Sequence, residues 1–157
     1  MNFSAKETSL STIYTYQASI LHAKAYRNLK LIKHHILIAH GLTVMQWSVL
    51  GIVNDAGAGG MRTSDIAKEL DTTLAFVTTT VNFLEAKGFV TRVAHGSDKR
   101  AKMIAVAPEH IGLIDTIEQD VRRQLRESIY SRVSRDDLET FMRVLAAFSG
   151  EQKSKDD

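Results

Sequence analysis

The chain has 157 residues, 44% of them hydrophobic, and a net charge of +2. That suits one domain, or one domain plus a dimerisation arm, with enough apolar material for a real core. With no cysteine, disulfides, cysteine redox sensing and thiolate metal sites are excluded; no apolar run approaches the ~18 residues that cross a bilayer, and "MNFSAKETSL" lacks the blocks of a signal peptide, so a cytoplasmic protein without a membrane partner is expected.

The first predicted element is a long helix over 10–38, in which Leu10, Ile13, Tyr14, Ile20, Leu21, Leu29, Ile32 and Ile36 keep a rough helical rhythm. A helix this long exceeds what a small domain can cover, so another helix or a second subunit should complete it. Gly41 breaks the chain. Thr43 and Gln46 then form a threonine-x-x-glutamine capping box that opens a second helix, which "GAGG" ends.

"RTSDIAKEL" predicts a short third helix with Thr63 as N-cap, Asp65 in its first turn, and Ile66, Ala67 and Leu70 facing inward. Asp71 and Thr72 make a tight break. The next segment, "DTTLAFVTTTVNFLEAKGFV", is rich in β-branched residues, which favour strands. Its apolar residues Leu74, Val77, Val81 and Leu84 nevertheless recur at three- and four-residue steps. A buried stripe outweighs the few tenths of a kcal/mol that each β-branched residue costs in a helix. A fourth helix is therefore expected, with Thr72, Ala75, Thr79 and Asn82 on an uncharged outer face.

Gly88 ends that helix. "FVTRV" and "KMIAVA" read as a hairpin around the turn "AHGSDKRA". Pro108 suits a helix start, and Ile114, Ile117, Val121, Leu125 and Ile129 make a long apolar stripe. Ser134 and Asp137 look like another capping box, followed by a last stripe of Leu138, Phe141, Leu145 and Phe148. The expected fold is mainly α with a small β-hairpin.

Charge is unevenly distributed. Residues 1–86 carry seven basic and six acidic side chains, net +1; residues 87–102 carry five and one, net +4; residues 103–157 carry eight and eleven, net −3. The positive excess sits on the hairpin, at Arg92, Lys99, Arg100 and Lys102. Two short helices joined by a tight turn, then a basic hairpin, is the winged helix-turn-helix arrangement. It sets the second helix of the pair in the major groove of double-stranded DNA and sends the wing to the backbone or minor groove. Threonine hydroxyls can bond phosphates or bases, and threonine and alanine methyls can contact the thymine methyl.

With "GLTVMQWSVL", "TSDIAKEL", "VTTTVNFLEAKGFVTR" and "SDKRAKMIAVAPEHIG" in that order, the chain resembles the multiple antibiotic resistance regulator (MarR) family over about residues 40–112. The wing motif aspartate-x-arginine stands as Asp98-Lys99-Arg100. The resemblance implies a homodimeric, non-enzymatic transcription regulator. One MarR-type domain would span 1–157, with dimerisation helices at 1–40 and 108–150 and a DNA-binding lobe at 41–107. It would be a ligand-responsive repressor on a palindromic operator. Thr72, Ala75, Phe76 and Thr79 would approach bases, Thr63 and Ser64 would touch phosphate, and Arg100, held by Asp98, would enter the minor groove. Two departures stand out. Thr79 takes the place of an arginine usual on the outer face, so contacts from arginine to guanine should matter less here. Val106-Ala107 replaces the usual leucine-threonine.

Three further groups have a bland reading beside the sharp one. Tyr14, Tyr16, His35 and Trp47 could line a pocket for a small aromatic or anionic effector between arm and lobe, or could be ordinary packing. His34, His35 and His40 could bind a metal, giving a metal-responsive regulator, but adjacent histidines on a helix point apart and no carboxylate completes a set. Phe76 and Phe83 could pack against the wing base or the third helix. No catalytic spacing of Ser, His and Asp occurs, and no cofactor is expected. A winged-helix protein-interaction module without specific DNA reading is the alternative that the uncharged helix keeps open.

Overall fold

The computed structural model describes residues 15–95 and 98–150, excluding the side chains of residues 95 and 98–101. Its elements are α1 (Thr15–Ile38), α2 (Val44–Asp55), α3 (Thr63–Glu69), α4 (Leu74–Ala86), β1 (Val90–His95), β2 (Asp98–Val106), α5 (Ile111–Ser128) and α6 (Arg135–Phe148). The order matches the expectation of a mainly helical chain with one hairpin. Leu10, Ile13 and Tyr14, expected in the first helix, lie outside the described residues. The chain forms two compact units that divide between Ile111 and Gly112.

The first unit holds the lobe. α2 begins as its sequence dictates: the Gln46 N–H donates to Thr43 Oγ1 at 3.2 Å, and the Thr43 N–H donates to Gln46 Oε1 at 2.9 Å. Two backbone donors at the helix start are thereby satisfied reciprocally. Leu42, Val49, Leu50 and Val53 from around α2, Ile66 from α3, Val77, Val81 and Leu84 from α4, and Ile104 from β2 are all fully buried. Each such side chain contributes about 1.5–3 kcal/mol on leaving water.

β1 and β2 pair antiparallel, from Val90 with Val106 to Ala94 with Lys102; after a register shift, His95 pairs with Asp98. The strands are longer than the sequence pattern suggested. Asp98, Lys99 and Arg100 lie on β2, not in the turn, with Asp98 paired to His95 beyond the register shift. A third strand-like partner was not foreseen. Met61 and Ile104 exchange backbone hydrogen bonds of 2.9 and 2.8 Å. Gly60 makes this approach possible. Its φ is +66°, and a Cβ there would stand 2.4 Å from the Ile104 carbonyl oxygen.

Other boundaries also differ. Arg62, not Thr63, is the N-cap of α3; it makes no side-chain capping bond, and Thr63 is the first helical residue. Thr72 precedes α4, whose N-cap is Thr73, with its Oγ1 accepting from the Phe76 N–H at 3.3 Å. Leu74, expected in the buried stripe, is 53% exposed, whereas Thr80 is buried at 8%. Leu74 has the right phase but stands at the helix tip, and phase buries a side chain only where a neighbour reaches it.

In the second unit, Ile114, Ile117, Val121 and Leu125 are buried as their spacing predicts, and Ile129 falls beyond the end of α5. Ser134 caps α6, accepting from the Asp137 N–H at 3.1 Å, while its hydroxyl donates to the Asp137 carboxylate at 2.7 Å. No residue of α6 is buried; Phe141, Leu145 and Phe148 are 41%, 36% and 80% exposed. α1 likewise buries only Ile36 and Leu37 and exposes Tyr16, Ile20, Leu21, Tyr26 and Leu31.

Candidate nucleic-acid interface

The turn between α3 and α4 is set by local chemistry. The Asp71 N–H donates to Lys68 O at 3.1 Å and the Thr72 N–H to Ala67 O at 3.0 Å. This is the paired bond pattern of a Schellman turn, and it puts Asp71 at φ +46°. α4 ends in the same way. The Gly88 N–H bonds Glu85 O and the Phe89 N–H bonds Leu84 O, both at 2.9 Å, and Leu84 and Phe89 are each buried. α4 is thereby delimited at both ends and leads directly into β1.

α4 divides cleanly. Val77, Thr80, Val81 and Leu84 are buried, and Leu74, Ala75, Phe76, Thr78, Thr79, Asn82 and Phe83 are exposed. The only charged residue in the helix is Glu85. Three consecutive threonines donate their hydroxyls one turn back: Thr78 to Leu74 O at 2.8 Å, Thr79 to Ala75 O at 3.1 Å and Thr80 to Phe76 O at 3.0 Å. This accounts for a threonine in the core, since the Thr80 hydroxyl is satisfied and its methyl can pack. It also defines the outer face. With its proton committed to the backbone, the Thr79 hydroxyl offers acceptor lone pairs and a methyl group outward.

The expected contact residues fall into four groups. Ala75, Phe76 and Thr79 share the exposed side of α4; Ser64 is exposed and Thr63 half-buried at the start of α3; Thr72 is half-buried in the turn. On the hairpin, Lys102 is exposed opposite Ala94. The backbone sets Asp98, Lys99 and Arg100 on β2, and their side chains lie outside the described residues. Arg92 is engaged within the lobe. Its Nε donates to both Glu85 carboxylate oxygens at 3.0 and 3.2 Å, and its Nη2 donates to Asn82 Oδ1 at 2.7 Å. This link between β1 and α4 was missed from sequence. The signal for it is Asn82 and Glu85 three residues apart on the helix, but the strand partner that meets them cannot be read from spacing. Phe83, expected to pack, is 43% exposed, with the Lys87 ammonium 4.7 Å above its ring.

For the expected effector site, Tyr14 lies outside the described residues, Tyr16 and His35 are exposed on α1, and Trp47 is half-buried on α2. A cavity of about 290 Å³ lies elsewhere in the lobe, between the end of α2 and the hairpin, lined by Val53, Asn54, Ala58, Val93, Ala105 and Val106 among others. His34 and His35 have ring centroids 6.0 Å apart at 66°. Among the described residues no three His, Asp or Glu side chains converge in a way that could hold a metal, and no helix is long and apolar enough to cross a membrane.

Residues 40–101, from the start of α2 to the wing, match the MarR family model. The chain is 27% identical over 88 residues to the uncharacterized HTH-type transcriptional regulator YwhA of Bacillus subtilis (strain 168); the aligned stretch covers 56% of this chain and 63% of that relative. Among solved structures, CouR from Rhodococcus jostii RHA1 bound to p-coumaroyl-CoA superposes with a TM-score of 0.75 at 21% identity, covering 90% of this chain and 95% of CouR. The S. aureus MepR–DNA complex gives 0.71 at 23%, covering 89% and 100%. These likenesses establish the fold. Over residues 40–101, which hold the helix pair and the start of the wing, the chain is similar to the MarR family of winged helix-turn-helix transcription regulators.

Proposed function

We propose that this protein is a transcription regulator that binds a palindromic DNA operator as a homodimer and acts as a ligand-responsive repressor. The observation that carries the reading is the outer side of α4, exposed, uncharged apart from Glu85, and set beside a basic hairpin. Ala75, Phe76 and Thr79 would meet base edges in the major groove, where methyl groups and acceptor oxygens find thymine methyls and exocyclic amines. Thr63 and Ser64 would bond phosphate, and Lys99, Arg100 and Lys102 would hold the backbone or minor groove, with Asp98 orienting Arg100. The MepR structure, a DNA complex with the same fold, supports this placement.

The dimer is supported by the exposed apolar residues of α1 and α6. Tyr16, Ile20, Leu21, Phe141, Leu145 and Phe148 need a partner surface. The helices at 1–40 and 108–150 would supply the dimer contacts and 41–107 the DNA lobe. Sedimentation at micromolar concentration tests this, and a monomer there defeats it. An aromatic or anionic effector near Tyr14, Tyr16, His35 and Trp47 would alter the spacing of the two recognition helices and shift the population away from the DNA-binding form. CouR, bound to p-coumaroyl-CoA, supports an effector of this kind.

The deciding experiment measures affinity for the duplex upstream of the chain's own gene and for a random duplex, across salt. Preference for the upstream duplex with a steep salt slope supports the reading. Arg100→Ala should lower the slope by roughly 0.9 per lost phosphate contact. A second reading, a protein-interaction module, is favoured by one observation: α4 has no Lys or Arg, and Arg92 is already paired with Glu85. Equal, weak binding to both duplexes at all salt concentrations would select it.

A further inference from the structure

Asn82 stands on the exposed side of α4, one turn beyond Thr79, and its carbonyl oxygen is held by Arg92 at 2.7 Å. Arg92 is anchored in turn by the two Glu85 oxygens. A guanidinium has five donors and no acceptor. The Asn82 atom facing it therefore has to be the oxygen, so the amide's orientation follows from chemistry. The NH₂ end is left over, and among the described residues it has no protein partner.

We infer that Asn82 reads guanine and that Arg92 is the positioning residue responsible for that choice. The inference rests on the reading of α4 as the helix in the major groove. In that groove an unconstrained asparagine pairs with adenine by using both ends of its amide, accepting from N6 and donating to N7. Here the oxygen already sits in a charge-assisted bond, the stronger kind. The two remaining N–H donors match the neighbouring acceptors O6 and N7 of guanine, the base that presents two acceptors side by side. Towards adenine, one of them would face the N6 donor. A helix with no Lys or Arg of its own thus keeps a means of reading guanine, through an amide oriented by an arginine on the adjacent strand.

The test uses the full chain and duplexes recovered by selection from a randomised library, followed by titration of single-base variants at fixed salt. The wild-type protein should select guanine over adenine by about tenfold or more at one position of each half-site. Asn82→Ala should lose that discrimination and keep it elsewhere. Asn82→Asp, which retains a partner for Arg92 and replaces donors with an oxygen, should move the preference away from guanine. Arg92→Ala should raise adenine relative to guanine at the same position; mere loosening of the wing would weaken all sequences alike. Melting temperatures confirm that each variant is folded.

If the wild type selects a sequence and Asn82→Ala and Asn82→Asp retain its full discrimination, Asn82 is not a reader and the inference falls while DNA reading stands. Adenine at the Asn82-dependent position overturns it equally. If the wild type enriches no sequence at all, the functional proposal falls and takes the inference with it.

Discussion

The Lys87 ammonium, just past the end of α4, donates to the backbone carbonyl of Gly41 at 2.9 Å, across a separation of 46 residues. It ties the end of the candidate recognition helix to the turn between α1 and α2, with the Phe83 ring lying 4.7 Å beneath the same charge. A carbonyl bonded by a cation and a ring facing it make this lysine more than a solvated end. Lys87→Met, which keeps most of the stem and removes the charge, should cost about 1 kcal/mol. Urea denaturation followed by circular dichroism measures it, and an unchanged midpoint would show that solvent replaces the bond without loss.

Asp71 should be a site of stabilisation. Its φ of +46° falls in the left-handed region, where a side chain is disfavoured and glycine is not. Asp71→Gly should raise stability by up to about 1 kcal/mol, because the turn after α3 already demands that conformation. A fall in stability would mean that the aspartate side chain contributes more than its backbone costs.

Gly60 should tolerate almost nothing. Gly60→Ala combines a left-handed φ with a Cβ 2.4 Å from the Ile104 carbonyl oxygen, so the Met61–Ile104 bridge has to open. A loss of about 3 kcal/mol is expected. A thermal melt within one degree or so of the wild type would show that the chain before α3 can shift at little cost.

Thr79 and Thr80 are adjacent, and both donate to the carbonyl one turn back, but they should respond in opposite ways. Thr79→Ala is an exposed change and should leave stability within about 0.5 kcal/mol. Binding should weaken by roughly 1–3 kcal/mol at its own base pair. Thr80→Ala removes a buried methyl group and should cost about 1 kcal/mol of folding without altering the pattern of base preference. Melting curves and a series of single-base duplex variants separate the two, and an unfolded Thr79→Ala protein would contradict the phase of α4.

Much of the architecture follows from local spacing alone. The Thr43–Gln46 box, the stripe of Val77, Val81 and Leu84, the glycine that ends α4 and the stripe of α5 are all written within a few residues of where they act. Helix periodicity and capping are interactions between near neighbours, so the sequence by itself determines them. The same holds for the uncharged face of α4 and for the basic character of the hairpin. Tertiary structure decided the rest. Leu74 has a core residue's phase and lies exposed, and Thr80 has a polar side chain and lies buried, because burial depends on which neighbour reaches each turn. Arg92 reads as one more wing cation until the hairpin brings it to Asn82 and Glu85, ten and seven residues back along the chain. Met61 reads as part of a loop until β2 passes beside it. In each case the deciding contact joins separate elements, and spacing along one element carries no record of what another brings to it.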